Sequence, residues 1–367
     1  MHLEVETIAE IRLPNDGVHQ ILRMVAPGTP LREGLDNVLR AKTGALIVIG
    51  ENPAINAIVD GGFRLDTEFT PAHLYELAKM DGAIILSSDA KRILYVNAML
   101  LPDQSVFSSE TGIRHRTAER VARSTGLLTI SISQRRNIIT LYKGSIKYYL
   151  RDIGLILSKA NQAIQTLDKY RIVFNETLAK LLALEFEDMV LLADVTTALQ
   201  RFEMLMRVVN EISNYIVELG TEGRLVKLQL EELVADTNQE GYLLIKDYVV
   251  SGEDRSLDTV LAGMAALSSE ELLDQTYFSK ILGYGGGVSS LDQPVLSRGH
   301  RILSKIPRLP LPVIDNVVAV FGTLQDILTA SIEELDDVEG IGEVRAKSIK
   351  EGLLRMQQQL IVDRHNI

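Results

Sequence analysis

The chain has 367 residues, 46% hydrophobic and 24% charged, with a net charge of −11 and no cysteine. That length exceeds one ordinary hydrophobic core, so two or three folded domains are expected. The absence of cysteine excludes disulfides and thiolate metal sites, and the overall acidity excludes a uniform nucleic-acid coat, so any phosphate-binding patch must be local.

At the N-terminus, MHLEVETIAE is acidic and lacks a long apolar run, and no later stretch is long and uncharged enough to span a bilayer. A cytoplasmic location is therefore expected. ALIVIG (45–50) reads as a strand, PAHLYELAKM (71–80) as a helix, and AIILSS and ILYVNA as strands. RHRTAERVARSTG (114–126) reads as a helix closed by glycine. LLTISIS and NIITLY are strands again, and ISQRRNI between them is short enough for a hairpin. Interleaved strands and helices indicate an α/β domain with a mixed central sheet over 1–144.

From Ser145 the period changes. Ile146, Tyr149, Ile153, Ile156, Ala160, Ala163, Leu167 and Tyr170 lay one apolar stripe along a predicted long helix. Helical character continues through FEDMVLLADVTTALQRFEMLMRVVNEISNYIVEL, so 145–290 reads as an all-α spine. The stripe fits either a packing surface between subunits or the buried face of a helix in its own bundle. GYGGGVSS (283–290) reads as a linker: no Lys-Ser or Lys-Thr follows it and no convincing strand precedes it.

The last region, 291–367, begins with SRGHRILSKIPRLP (297–310), which carries Arg298, His300, Arg301, Lys305 and Arg308 and no acid. Further on, in VEGIGEVRAKSI, Gly340 and Gly342 flank Ile341 and a helical pattern with Arg345, Lys347 and Lys350 begins. Glycines there permit a tight turn and leave N–H groups of the next helix free to hold a phosphate oxygen. This resembles a helix-hairpin-helix motif. KIPRLPLPVIDNVVAVFGTLQDILTAS reads as a degenerate upstream copy with Pro307 to Pro310 at its hairpin, so a tandem form is expected. Duplex or branched DNA is the expected partner, held through Arg301, Lys305, Arg308, Gly340, Gly342, Arg345 and Lys347. Such contacts read backbone shape and not base sequence. The plainer alternative is an interhelical turn beside a solvated basic face.

In DGAIILSSD (81–89), Asp81 is either the polar punctuation of a strand or a charge placed for chemistry. SETGIRHRTAERVA (109–122) supplies a partner: Thr111 and Gly112 make a turn, and Arg114, His115, Arg116 and Thr117 open a helix. Three adjacent donors at a helix N-terminus contradict the usual preference for acids there, and they concentrate positive potential where the helix dipole already favours an anion such as a triphosphate.

Asp81-Gly82-Ala83 with Arg114-His115-Arg116 resembles the paired signature of the diadenylate cyclase domain family. The order of α/β domain, helical spine and C-terminal helix-hairpin-helix is similar to that of the bacterial DNA-integrity scanning family over nearly the whole chain. The resemblance implies condensation of two ATP into cyclic di-AMP and two pyrophosphates, in an octameric assembly. By the same analogy Asp81 holds Mg²⁺ or Mn²⁺ and activates the attacking hydroxyl, and Gly82 and Ala83 let the nucleotide approach the backbone. Main chain at Leu100 reads adenine, residues Ile113 to Thr117 cradle phosphates, and Ser133 and Arg136 add phosphate contacts. Where the family commonly has threonine before Arg-His-Arg, Ile113 stands here and brings no hydroxyl. Rival classes are a non-catalytic DNA-binding scaffold and a nuclease or repair accessory. The latter has little support, with no His-Glu-x-x-His and, besides His115, only the scattered His2, His19, His73, His300 and His365.

Overall fold

The computed structural model describes residues 17–365 apart from 251, 253 and 254. The MHLEVETIAE segment with His2 lies outside the described residues, as do the last two residues of the C-terminal tail.

The chain runs through α1 (Gly17–Met24), α2 (Pro30–Arg40), β1 (Ala45–Ile49), α3 (Pro53–Asn56), β2 (Val59–Asp60), β3 (Phe63–Glu68) and α4 (Pro71–Leu77). It continues with β4 (Ala83–Leu86), β5 (Arg92–Leu100), α5 (Ile113–Thr125), β6 (Leu128–Ser133), β7 (Ile138–Lys143) and β8 (Ile146–Tyr149). The strands form one sheet in the order β2-β5-β4-β1-β6-β7-β8, with β3 also on β5. Only β1 and β4 run parallel, so the sheet is mixed. One start device recurs: Thr29-Pro30, Asn52-Pro53 and Thr70-Pro71 each place a side-chain oxygen as cap and a proline in the first helical turn.

Both faces of the sheet are covered. Ala45, Ile47 and Ile49 of β1 face a core shared with Leu31, Leu35 and Val38 of α2 and Leu74 of α4. Leu46 and Val48 face a second core with Ala118, Val121 and Ala122 of α5. Alternate residues of one strand thus enter two different cores, which is why β1 reads as unbroken apolar sequence.

Two predicted boundaries shift. Ile146 and Tyr149 do not belong to the long helix; they lie in β8, which pairs with β7 across a two-residue turn in which Gly144 has φ +56°. A positive φ at the first turn position is the geometry that glycine supplies in tight hairpins. The helix itself, α6 (Ile153–Glu187), buries Ile156, Ala160, Leu167, Phe174, Leu178 and Leu181 within this chain. It ends at Asp188, which adopts a left-handed φ of +56°, and α7 (Leu192–Leu219) follows.

Then come α8 (Arg224–Val234), α9 (Thr237–Tyr248), α10 (Leu257–Ala266) and α11 (Gln275–Leu282). The glycine cluster after α11 is not a free linker. Gly283 closes α11 in the left-handed conformation, and the Ser279 and Ser290 hydroxyls both donate to Gly285 O, at 2.7 and 2.6 Å. The last elements are α12 (His300–Leu303), α13 (Leu311–Phe321), α14 (Leu324–Thr329), α15 (Ile332–Asp336) and α16 (Glu343–His365).

The upstream hairpin copy is visible in the backbone. Leu303 N donates to Gly299 O and Leu335 N to Ser331 O; Val313 N donates to Pro310 O and Arg345 N to Gly342 O; Ile314 N donates to Pro310 O and Ala346 N to Gly342 O. Each bond recurs at the same offset, so α12-hairpin-α13 and α15-hairpin-α16 are two copies of one unit. Their apolar positions, including Ile306, Val317, Val338 and Ile349, share a single core.

The chain divides into two compact units. One holds the sheet, with the described residues from Gly17 to Asn161 and Ser213–Lys227. The other holds Gln162–Ile212 and everything from Leu228 on, so most of the helical segment and both hairpin copies form one body.

Candidate functional site

In the sheet unit, strand register gathers the candidate residues at one end. Ala45 lies opposite Ile132, Leu46 opposite Ala83, and Ala83 opposite Ala98. Gly44 precedes Ala45, Asp81 and Gly82 precede Ala83, Ser133 follows Ile132 and Leu100 lies two residues beyond Ala98, so all of them gather at the same end of the sheet. Asp81 is exposed in the bend before β4. Gly82, at φ +93°, has an internal requirement as well: a Cβ there would stand 2.8 Å from Asn97 C and 3.0 Å from Ala98 O. The Ala83 and Leu100 side chains are buried in the core, so only their main chain is available to a ligand.

Helix α5 opens with no side-chain cap at Gly112 and no acid in its first turn. Ile113 is 85% exposed there. Arg114 folds back toward the sheet: a methyl on Gly44 would overlap its guanidinium and come within 3.2 Å of Ile132 O. His115 is half-buried, and its pKa is held below the usual imidazole value by burial first and by Arg136, Arg114 and Lys147 next, against the pull of Glu110. At neutral pH His115 is therefore neutral, and the fixed charge belongs to the arginines. Arg116 fastens the preceding loop, with Nε donating to Glu110 O at 3.2 Å and Nη2 to Thr111 O at 3.3 Å. Thr117 is half-buried on the same turn. Ser133 closes the β6–β7 hairpin by accepting from Arg136 N at 3.2 Å, with Arg136 exposed.

Sequence reasoning missed the support beneath this helix mouth. Glu110 is buried, accepts from Tyr142 OH at 2.7 Å and pairs with Lys147. Burial alone would raise its pKa; the bonds from Lys147 and Tyr142 outweigh that and leave it below the usual carboxylate value. Glu119, also buried, accepts from Ser108 Oγ at 2.6 Å and Ser109 N at 3.0 Å. Arg120 donates to Val106 O and Gln104 O, both at 2.9 Å. One face of α5 thus stitches down the 104–111 loop that delivers Arg114. Glu119 also pairs with Arg123 one turn on, at 3.0 Å, a spacing that a local reading can find, but the partners of Glu110 come from β7 and β8.

Among the described residues no group of three or more histidines or carboxylates is arranged to hold a metal. What the predicted position offers is the exposed carboxylate of Asp81. That suits Mg²⁺ or Mn²⁺ bound chiefly through substrate phosphates and water, a mode that needs only one or two protein carboxylates.

In the hairpin unit one prediction is overturned. Arg301 is fully buried and cannot touch DNA; its guanidinium pairs with buried Glu185 and lies 3.5 Å from Glu240. Asp247 accepts from the backbone N–H groups of His300 and Arg301 at 2.7 and 3.0 Å, and Tyr248 OH donates to Glu185 at 2.8 Å. Arg298 donates to the carbonyls of Lys246 and Val249 at 2.8 and 2.7 Å. Three of the five basic residues in this run, Arg298, His300 and Arg301, thus belong to an internal clamp between the start of α12 and the ends of α6 and α9.

Lys305, Arg308, Gly340, Gly342, Arg345 and Lys347 are exposed. Gly340 turns the second hairpin at φ +86°, Arg345 donates to Gly340 O, and Lys347 pairs with Glu343.

An α/β sheet with a cationic helix mouth, fused to a helical segment and paired hairpin units, defines a multidomain nucleotide-binding protein with a helix-hairpin-helix module. Residues 32–146 match the family described as DisA bacterial checkpoint controller nucleotide-binding, and 150–291 match its linker region. Residues 323–352 match the helix-hairpin-helix motif. The chain is 60% identical over 338 residues to the DNA integrity scanning protein DisA of Carboxydothermus hydrogenoformans, covering 92% of this chain and 96% of that one. It is 56% identical to that of Bacillus subtilis, covering 94% and 95%, and 53% identical to that of Clostridioides difficile, covering 96% and 99%. The chain belongs to the DisA family.

Proposed function

We propose that the chain is a diadenylate cyclase that condenses two ATP into cyclic di-AMP and two pyrophosphates. The observation that carries this reading is the convergence, at one end of the sheet, of Asp81-Gly82, Gly44 with the Arg114 guanidinium, and Ser133. Each 3′ oxygen forms a bond to the α-phosphorus of the other nucleotide while the bond from that phosphorus to pyrophosphate breaks. The hydroxyl proton passes to Asp81. Arg114 and Arg136 face the charge that accumulates on the departing pyrophosphate, where fixed cations stabilise a transition state most. Mg²⁺ or Mn²⁺, held by Asp81 with the substrate's phosphates, would neutralise the rest of that charge. Main chain at Gly82, Ala83 and Leu100 borders the adenosine, and the N–H groups of Ile113, Arg114 and His115, which precede the first intrahelical bond from Arg116 N to Gly112 O, border the phosphates with the Arg116 and Thr117 side chains on the same turn.

The product has two identical halves, so two equivalent half-sites facing across a two-fold axis suffice and a single protomer does not close the ring. The assembly is a homo-octamer in the cytoplasm. Its hairpin units bind duplex or branched DNA by the backbone and bias the cyclase. Incubation with ATP and Mg²⁺ or Mn²⁺ yields a product with the mass of the cyclic dinucleotide. A folded oligomer that makes none would instead be a DNA-binding scaffold.

A further inference from the structure

The two hairpins are built differently at matching positions. In the second, Gly340 and Gly342 both carry N–H groups, and neither N–H donates to a protein acceptor among the described residues. Their counterparts in the first are Arg308 and Pro310, and a proline has no N–H to offer. The first hairpin therefore lacks half of the backbone pair with which the second can meet a phosphate. It carries something else. Arg308 adopts φ +63°, where Gly340 has φ +86°. That region is unfavourable for any residue with a Cβ, and a bulky side chain kept there points to function.

Arg308 is exposed and has no hydrogen-bond or ion-pair partner among the described residues. It lines a cleft of about 440 Å³ between the first hairpin and α16, together with Lys305, Pro307, Ser348, Gly352 and Arg355. Gly352 lets the hairpin seat closely, since a Cβ there would come within 3.1 Å of Ile306. Lys305 and Arg355 are only loosely engaged, 3.4 Å from Glu240 and 3.3 Å from Glu351, and both are solvent-accessible. The cleft thus brings three cations and a hydroxyl to one place on an acidic protein.

We propose that this cleft binds a phosphodiester of the DNA backbone through side chains, with Arg308 as its principal ligand and Arg355 and Ser348 completing the grip. The tandem is then asymmetric: backbone N–H groups hold one phosphate at the second hairpin, and guanidinium groups hold another at the first. The proposal rests on the reading of this region as a DNA-binding module.

Arg308→Gly tests it without the usual ambiguity, because glycine is at ease at this φ and the variant keeps its fold, with Tm unchanged or raised. Fluorescence anisotropy of the full chain on two labelled duplexes of unrelated sequence is measured across a salt series. Arg308→Gly binds both duplexes roughly tenfold more weakly, as expected for loss of one charge-assisted contact. Its plot of log affinity against log salt is shallower by about 1. Arg355→Gln acts in the same direction, and the double variant is less than additive because both charges serve one phosphate. If Arg308→Gly keeps the parent's affinity and slope while the parent binds duplex, the cleft is not a phosphate site and the DNA reading survives. If the parent binds neither duplex, both readings fall together.

Discussion

His115 is the residue whose charge state follows most directly from its surroundings. Burial and the guanidinium groups of Arg136 and Arg114 disfavour its protonated form, so its pKa is lower folded than unfolded. The sign for stability follows: protonation opposes the fold, and His115 subtracts stability as pH falls below the ordinary imidazole value of about 6.5. A bound triphosphate reverses the balance by adding negative charge beside the ring. Binding of a non-hydrolysable ATP analogue slightly below neutral pH is therefore accompanied by proton uptake, measured by calorimetry in buffers of different ionisation enthalpy. His115→Gln removes the uptake, and unchanged uptake in that variant would place the proton elsewhere. Asp81→Asn abolishes product formation while leaving the oligomer and duplex binding intact, read by mass spectrometry and by sizing; loss of the oligomer would assign Asp81 a structural role. Arg114 to Arg116 stand out in the sequence because cations at a helix start break a local rule, whereas Asp-Gly ahead of an apolar run is ordinary turn chemistry and draws notice only when paired with that helix start. Arg301 was misread because a basic run has no signature that separates a solvated guanidinium from a buried one. Its acids, Glu185 and Glu240, are far away in the chain.

At the scale of elements, register does what no local motif can. β1 is central, flanked by β4 and β6, and this places three chain-distant turns at one edge. Strand identity could be read from apolar runs, and the β6–β7 hairpin from its short polar loop. β8 could not, because Ile146 and Tyr149 satisfy a helical spacing equally well and only pairing with β7 decides between the two. The support beneath α5 also comes from pairing: β8 carries Lys147 to buried Glu110. Lys147→Met leaves that carboxylate with Tyr142 alone, loosens the 104–111 loop and raises the KM for ATP more than it lowers kcat, whereas Lys147→Arg retains most of the parent's KM. A KM unchanged in Lys147→Met would remove the positioning role. The clamp on α12 makes a matching prediction for stability. Arg301→Met strands the buried Glu185 carboxylate and costs about 3–5 kcal/mol, read from urea unfolding. Adding Glu185→Leu recovers much of that loss, since a buried ion pair replaced whole by apolar groups is often close to neutral.

At the scale of the whole molecule, helices α6 and α7 each give residues to both compact units. Two points at which the chain passes from one unit to the other, 161/162 and 212/213, fall inside these helices, so the passage there is made in helical backbone. The Glu185–Arg301 pair lies at the C-terminal end of α6 and ties the first hairpin copy to that same helix. DNA seated on the hairpins is thus expected to disfavour the arrangement in which two half-sites meet, and saturating branched duplex lowers the rate of dinucleotide synthesis. For the binding part of the effect thermodynamics demands symmetry: if branched duplex weakens the affinity for a non-hydrolysable ATP analogue by some factor, the analogue weakens the affinity for duplex by the same factor. Coupling between sites of this kind is typically about 1–3 kcal/mol, roughly 5- to 150-fold. The two affinities, each measured with and without the other ligand at saturation, test the linkage. Matching factors with a reduced synthesis rate support coupling through the shared helices. A synthesis rate untouched by saturating branched duplex eliminates it, and leaves two activities that share a chain without sharing an equilibrium.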